Sequence, residues 1–183
     1  YCAELPYGVW QTNASPITVG SAFIGVALLL VKNGTPMRYF GVAWFLPLMY
    51  PAYDSVQHGD FSVYQFDVGQ GQAIAVQTQK HLLLYDTGPG DGHNRNWVVS
   101  SIAPSLVAWS NLPVSRLIVS HGDLDHAGGL GSAVKYLRPQ TVLTSDDSLG
   151  FEPCLAGQHW NWEGVEFSVL HPGVHLPYQG NNS

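Results

Sequence analysis

The sequence is most tightly constrained at residues 116–129, where a short apolar run leads directly into a cluster of histidines and aspartates. The run 116–120 (RLIVS) does not alternate between apolar and polar residues, which is typical of a strand buried on both faces of a parallel sheet. Four polar residues follow within six positions, and the pair Gly128-Gly129 then allows the backbone to turn tightly into a helix. The pattern predicts a loop of functional side chains at the end of a central strand in an α/β domain.

The four residues of this loop, His121, Asp123, Asp125 and His126, are all of types that bind divalent metal ions. Since His121 and Asp123 are two positions apart, an extended backbone directs both side chains to the same side. Four such ligands can form two neighbouring sites, and two ions about 3.5–4 Å apart can activate water for hydrolysis. The alternative is a solvated acidic turn with incidental histidines. The combined spacing and the following glycine pair favour a metal-binding loop.

The chain from residue 57 onward has the pattern of an α/β domain. Alternating and apolar runs predict strands at residues 61–68, 73–79, 81–86, 116–120 and 141–144. Helical spacing predicts helices at 97–109 and 130–137. A final hairpin is predicted at 158–170, turning at Glu163-Gly164.

Two uncharged, apolar stretches precede this domain, at residues 14–31 and 39–53. A membrane-spanning helix needs about 20 apolar residues, with a range of about 17–25, so the first stretch is just long enough. The second is shorter and contains Pro47. Buried core helices are the alternative, but a domain of this size has little room for both. We therefore expect residues 1–56 to be the end of a membrane region with two transmembrane helices, and residues 57–183 to form a separate domain.

The short link between these stretches carries Lys32 and Arg38. Positively charged links remain in the cytoplasm, so we expect the domain after residue 56 to lie on the outer face of the cytoplasmic membrane. Charged residues make up only 11% of the chain, against roughly 25% in typical soluble domains. This shortage of charge agrees with a part of the chain that meets lipid.

The net charge argues against a basic nucleic-acid-binding surface. Seven Lys and Arg residues face 13 Asp and Glu residues, which gives a formal net charge of −6. Binding to a nucleic-acid backbone normally requires clustered positive charge. A DNA substrate would therefore need bound metal ions or other segments to supply that charge.

The motif HxDxDHxGG from His121 to Gly129 resembles the signature loop of metallo-β-lactamase-fold hydrolases, in which HxHxDH is more frequent. Together with Asp67-Val68-Gly69-Gln70-Gly71 and Tyr85-Asp86-Thr87-Gly88, it resembles the C-terminal domain of the ComEC family of competence membrane proteins. The resemblance implies a metallo-β-lactamase αββα sandwich, here partial and truncated at its C-terminus, after transmembrane helices. It also implies a nuclease that degrades the DNA strand not transported during uptake. Single-stranded DNA would be its substrate, and other DNA-uptake proteins its partners.

The resemblance also implies roles for individual residues. Carried over by position, the expected metal ligands are His121, Asp123, Asp125 and His126. His171 lies where a further metal ligand or a substrate contact is expected, and the alternative is a purely structural role before Pro172. Asp86, in the motif at the strand end, is expected to support catalysis. Asp125 or a bound metal ion is expected to orient the attacking water. The expected cofactors are two divalent metal ions, Mn²⁺ or Zn²⁺. An aspartate in place of the second histidine adds oxygen donors, which favours harder ions such as Mn²⁺.

Two departures from the family pattern leave the activity open. Gln72 occupies a position where the family usually has aspartate, and a glutamine cannot act as a general base or anionic ligand. The chain also ends before a later Gly-Asp element of the family, so we expect it to be a piece of a longer protein. The alternatives are a catalytically degenerate module that guides DNA, or a hydrolase of small esters or lactones, because a fold does not determine a substrate.

Overall fold

A computed structural model of the chain describes residues 15–32, 36–49, 53, 55–90 and 96–173. The chain divides into two compact units, Tyr1–Asp54 and Ser55–Ser183. In the first unit, helix α1 (Pro16–Leu29) begins at Ser15, whose hydroxyl accepts a hydrogen bond from the Thr18 N–H at 3.3 Å. A serine before the first turn and a proline within it are common helix-start signals. The first predicted apolar helix is therefore present.

The second predicted helix, at 39–53, differs from the structure in its start and its type, and its residues 50–52 lie outside the described part of the chain. A 3₁₀ helix (Pro36–Phe45) begins inside the predicted link and is followed by the short helix α2 (Leu46–Met49). Pro47 lacks an N–H and restricts the residue before it, so it favours the start of a new helix over the continuation of an old one. No helix in residues 15–32 or 36–49, or elsewhere in the described chain, is both long and apolar enough to cross a membrane.

The two helical segments of this unit pack closely through glycines. A Cβ atom on Gly25 would lie 2.8 Å from the Gly41 carbonyl oxygen, and one on Gly41 would lie 2.7 Å from the Gly25 carbonyl oxygen. A side chain at either position would therefore push the two backbones apart. Small residues at such crossings allow close helix packing.

The second unit contains a six-stranded sheet whose strands follow one another in sequence order. β1 to β3 are paired antiparallel, and the neighbours from β3 to β6 are parallel. The strands are β1 (Ser62–Gln65), β2 (Ile74–Gln77), β3 (Leu82–Tyr85), β4 (Val114–Val119), β5 (Thr141–Thr144) and β6 (Glu152–Pro153). The five strands predicted in this region are present. Sequence reasoning missed β6, which has only two residues.

Helices cover one face of this sheet. A π-helical turn (Val98–Ile102) leads into α3 (Ala103–Trp109), while α4 (Leu124–Ala127) and α5 (Leu130–Ser132) follow β4. A second π-helical turn (Ala133–Leu137) extends α5, so both predicted helical regions are confirmed. Leu117 and Val119 of β4 are fully buried in the core beneath these helices.

A two-stranded hairpin packs on the opposite face, where Ile118 of β4 contributes to a second buried cluster. The hairpin consists of β7 (His159–Trp162) and β8 (Val165–Ser168), joined at Glu163-Gly164 as predicted. The arrangement of helices, main sheet and hairpin supplies three layers of the expected αββα sandwich. β4 is buried on both faces, as its apolar sequence predicted.

The tip of the hairpin is attached to the turn between β2 and β3. One Glu163 carboxylate oxygen accepts hydrogen bonds from the Thr78 hydroxyl at 2.7 Å and the Lys80 N–H at 3.2 Å. The other oxygen lies 2.9 Å from Nδ1 of His81, and the His81 ring stacks on Trp162. Burial raises the pKa of Glu163, but these hydrogen bonds and the His81 charge together lower it by more. The pKa of Glu163 therefore lies below its ordinary value. The hairpin is therefore held by an ionised carboxylate.

Candidate metal centre

The histidine- and aspartate-rich loop lies where β4 ends. Asp123 has extended backbone angles and precedes the single turn of α4, and its carbonyl accepts hydrogen bonds from the N–H groups of His126 and Ala127 at 3.0 and 2.8 Å. Asp125 and His126 thus lie on a helical turn, while His121 and Asp123 lie on the chain leading into it. This change of backbone brings residues from both parts of the loop together.

Neighbouring loops hold the turn through their backbones. The Gln72 N–H donates to the Asp125 carbonyl at 3.1 Å, and the Thr87 N–H donates to the His126 carbonyl at 2.8 Å. The Gly88 N–H in turn donates to the Gln72 carbonyl at 2.8 Å. The motifs around residues 67–71 and 85–88 therefore meet the candidate metal loop, although they lie far from it in sequence.

Gly128 and Gly129 have a role different from the one predicted. Both have right-handed helical backbone angles, so neither is needed for an unusual turn. A Cβ atom on Gly128 would lie only 2.3 Å from the Gly90 nitrogen, and one on Gly129 would lie 2.6 Å from the Thr87 carbonyl oxygen. These positions require glycine because another backbone passes directly beside them.

Three of the predicted metal ligands form one compact group. Within the described residues, the potential ligand atoms of His121, Asp125 and His126 all lie within 4.8 Å of one another. The His121 and His126 rings are 4.0 Å apart between centroids. Nε2 of His126 lies 3.5 Å from Oδ2 of Asp125. One loop therefore supplies two imidazole nitrogens and a carboxylate to a shared space.

The chemistry of this group fits a divalent metal ion. Nε2 of His121 is buried and has no hydrogen-bond partner among the residues that the structure describes. Buried polar atoms in native proteins are almost always satisfied, so an orphaned imidazole nitrogen needs an explanation. Two histidine nitrogens and a carboxylate oxygen are a common donor set for zinc, and they also suit manganese. A metal ion bound by these residues would satisfy the orphaned nitrogen.

Asp86 lies behind the histidines, directly after β3. Its side chain is fully buried, and its Oδ1 accepts from the Ser120 N–H at 2.7 Å. Its Oδ2 lies 2.7 Å from Nδ1 of His126 and accepts from the Ser120 hydroxyl at 2.9 Å. A carboxylate that hydrogen-bonds a metal-ligating histidine fixes the ring orientation. This geometry fits the supporting role expected for Asp86, which acts through its neighbours as a positioning residue.

The phenol next to Asp86 has a perturbed pKa. Burial raises the pKa of Tyr85, and the negative charge of Asp86 raises it further, while a hydrogen bond with Ser120 lowers it. The net shift is upward from the ordinary value of 10.0. Tyr85 is therefore a neutral phenol at physiological pH.

The remaining predicted ligands lie outside the three-residue group. Asp123 is 46% exposed, and its Oδ2 is 3.4 Å from Nε2 of His121. His171 is exposed, and the carbonyl of the next residue, Pro172, accepts a hydrogen bond from the Ala156 N–H at 2.8 Å. The metal-binding roles of Asp123 and His171 stay predictions. Sequence reasoning missed Ser120, which was counted only as the last residue of a strand.

Comparison with known proteins agrees with this fold. Residues 66–178 match the model of the Metallo-beta-lactamase superfamily. The match covers more than half of the chain, and the chain belongs to this superfamily. Its domain is of the ComEC type, as the sequence motifs predicted.

Three relatives from bacteria carry the comparison. The chain is 28% identical over 179 residues to Competence protein ComA of Neisseria gonorrhoeae, covering 92% of this chain and 25% of that protein. It is 34% identical over 110 residues to Recombination protein 2 of Haemophilus influenzae, covering 58% and 14%. It is 32% identical over 148 residues to the Uncharacterized protein YcaI of Escherichia coli, covering 77% and 18%. The chain thus spans a quarter or less of the length of these relatives.

Proposed function

We propose that the chain is the metal-dependent hydrolase domain of a DNA-uptake membrane protein, and that it cleaves phosphodiester bonds of the DNA strand that is not transported. The observation that carries this proposal is the group of His121, Asp125 and His126 at the end of β4. The competence and recombination relatives support DNA as the substrate. Single-stranded DNA is the form on which we expect it to act.

The loop residues divide the chemical tasks between them. Nε2 of His121, Nε2 of His126 and the Asp125 carboxylate would hold a divalent ion, Mn²⁺ or Zn²⁺. Asp123 and His171 are the candidates for a second ion. Bound ions would supply Lewis-acid stabilisation of the charge that develops on the phosphodiester, together with positive charge that the acidic chain lacks.

Asp125 has a second task in this proposal. Its side chain is 41% exposed, so one oxygen can hydrogen-bond a water molecule while the other faces His126. A carboxylate in this position can orient the water for in-line attack and accept its proton. Asp86 and Ser120 keep the two histidine ligands fixed while Asp125 interacts with solvent.

We also propose that the first unit associates with the cytoplasmic membrane and that the hydrolase domain lies on its outer face. Several large apolar side chains of this unit are exposed, including Phe23, Leu30 and Tyr39, which are 72–80% exposed. Other DNA-uptake proteins would then be partners at this membrane. Fractionation and protease accessibility in intact cells test both parts. Recovery of the full-length protein in the soluble fraction would contradict the membrane association, and cleavage of the domain only after lysis would contradict the orientation.

The activity is tested with the full chain and a labelled single-stranded DNA oligonucleotide in the presence of Mn²⁺ or Zn²⁺. We expect cleavage that a chelator abolishes and that Asp125→Asn lowers at least about 100-fold, the range typical for general acid–base groups. Asp147→Asn, at an exposed aspartate on another turn, is the matched control and should retain activity. A folded, metal-loaded chain that cleaves no DNA would contradict the proposal.

Gln72 motivates a second candidate, a module that guides DNA without cleaving it. Its backbone holds both Asp125 and Gly88, and a glutamine maintains these contacts as well as an aspartate would. The fold can therefore persist without the carboxylate found in the family. If Gln72→Asp cleaves DNA and the wild type does not, the degenerate module is correct. Hydrolysis of small esters or lactones without DNA cleavage would instead support a small-molecule hydrolase.

A further inference from the structure

The Ser120 hydroxyl lies at the centre of a hydrogen-bond network behind the candidate metal ligands. Its oxygen is 2.9 Å from Nδ1 of His121, 2.9 Å from Oδ2 of Asp86 and 3.3 Å from Nδ1 of His126. Asp86 contacts the His126 ring directly, but the contact to the His121 ring comes from Ser120. Ser120 therefore connects His121 to the same buried carboxylate that His126 contacts directly.

The donors and acceptors of this network can be assigned by elimination. A carboxylate only accepts hydrogen bonds, so the 2.9 Å contact between Oδ2 of Asp86 and the Ser120 oxygen requires a proton from Ser120 between the two oxygens. The single hydroxyl proton of Ser120 is thus directed to Asp86, and the Nδ1 proton of His126 is directed to the same oxygen. The lone pairs of Ser120 then remain for His121, whose Nδ1 must be the donor.

We propose that Ser120 is a positioning residue that holds His121 in the tautomer with its proton on Nδ1. This tautomer leaves a lone pair on the buried Nε2 atom, for which the described part of the chain offers no hydrogen-bond partner. The Asp86 carboxylate thus sets the orientation of His126 directly and that of His121 through Ser120. The consequence for metal binding rests on the proposed function, whereas the tautomer itself does not.

Asp123 makes the assignment sensitive to Ser120. Its Oδ2 lies 3.4 Å from Nε2 of His121 and would attract a proton to that nitrogen. In wild type the Ser120 hydroxyl opposes this by accepting from Nδ1. Without the hydroxyl, the neutral ring is expected to move its proton to Nε2, where the proton blocks the lone pair required by a metal.

The test uses the full chain without metal at about pH 8, where free imidazole is neutral. Long-range ¹H–¹⁵N NMR distinguishes the two neutral tautomers of His121 in wild type, Ser120→Ala and Ser120→Thr. We expect the Nδ1 proton in wild type and in Ser120→Thr, which keeps a hydroxyl, and the Nε2 proton in Ser120→Ala. Ser168→Ala, at an exposed serine of the hairpin, is the control and should match wild type.

Calorimetric titration with Zn²⁺ measures the consequence for binding. Loss of a group that orients a metal ligand typically lowers affinity about 10–100-fold, and we expect at least 10-fold for Ser120→Ala. Ser120→Thr should restore most of this loss.

A wild-type His121 with its proton on Nε2 would overturn the inference. The NMR spectrum of wild type alone shows this, so the test holds even if Ser120→Ala does not fold. An unchanged tautomer and Zn²⁺ affinity in a folded Ser120→Ala would overturn it as well. Wild type with the expected tautomer but no Zn²⁺ binding would instead contradict the proposed function.

Discussion

Replacement of Asp86 by asparagine tests how the candidate centre is held together. The change keeps the size of a fully buried side chain. It also suits the backbone, because Asp86 has a φ of 58° and asparagine tolerates this left-handed region better than most residues. The main effect of the substitution is therefore electrostatic. One acceptor oxygen becomes an NH₂ group, and the negative charge is lost.

The structure indicates the size of the effect. The carboxylate faces three donors, at 2.7, 2.7 and 2.9 Å, and an amide in either orientation places NH₂ against at least one of them. Loss of one hydrogen bond to a charged group costs about 1.5–3 kcal/mol of folding free energy. His126 can relieve the clash by moving its proton from Nδ1 to Nε2. That movement preserves the fold but blocks the nitrogen that would bind the metal, so Zn²⁺ affinity should fall about 10–100-fold.

Urea denaturation with a chelator present measures the folding free energy of Asp86→Asn, and calorimetric titration measures its Zn²⁺ affinity. Asp147→Asn is the control for a generic loss of one negative charge, and it should change neither quantity by more than about 0.5 kcal/mol. A folded Asp86→Asn with the Zn²⁺ affinity of wild type would refute the reasoning, because the ring orientation would then not depend on this carboxylate.

Two further predictions concern stability. Gly128→Ala should cost about 2–3 kcal/mol of folding free energy or more, because its Cβ would lie 2.3 Å from backbone atoms. A Cβ atom on Gly131 would have no neighbour within 4 Å among the described residues, so Gly131→Ala should be neutral or stabilising in the same denaturation assay. Equal effects of the two substitutions would contradict the close approach. Because the folded pKa of Glu163 is lowered from 4.5, its contribution to stability is complete above that value and is lost as the pH falls through the lower folded pKa. Glu163→Gln should therefore be about 1–2 kcal/mol less stable than wild type at pH 7, with the difference shrinking in acid, while Glu166→Gln, at an exposed hairpin position, should show no such trend.

Much of the fold was predictable because its signals are local. The predicted strand at 141–144 has the observed bounds of β5, and Gly164 indicated the hairpin turn because glycine suits the left-handed backbone angles that such turns require. The second apolar helix was predicted with the wrong start and type because hydrophobicity shows where a chain avoids water, but not where one helical segment ends at Phe45 and another begins at Leu46. The two-residue β6 is too short to have a periodic pattern.

The candidate site was predictable to the extent that one loop supplies it. His121, Asp125 and His126 are close in sequence, and a strand end followed by a helical turn brings their side chains together. Its support was not predictable from spacing, because Asp86 reaches Ser120 and His126 across 34 and 40 residues of chain. Only the resemblance indicated that Asp86 belonged to the site. The role of Ser120 depends on hydrogen-bond geometry that no sequence pattern encodes.

The most direct test of the account is a crystal structure of the full chain grown with Zn²⁺ or Mn²⁺, with anomalous diffraction measured at the absorption edge of the metal. The account predicts an anomalous peak between His121, Asp125 and His126, bonded to both Nε2 atoms and to the carboxylate at about 2.0–2.2 Å. Asp86 should remain bonded to Nδ1 of His126. Crystals of the folded chain that show no peak there at saturating metal, or a peak only at other residues, would contradict the account.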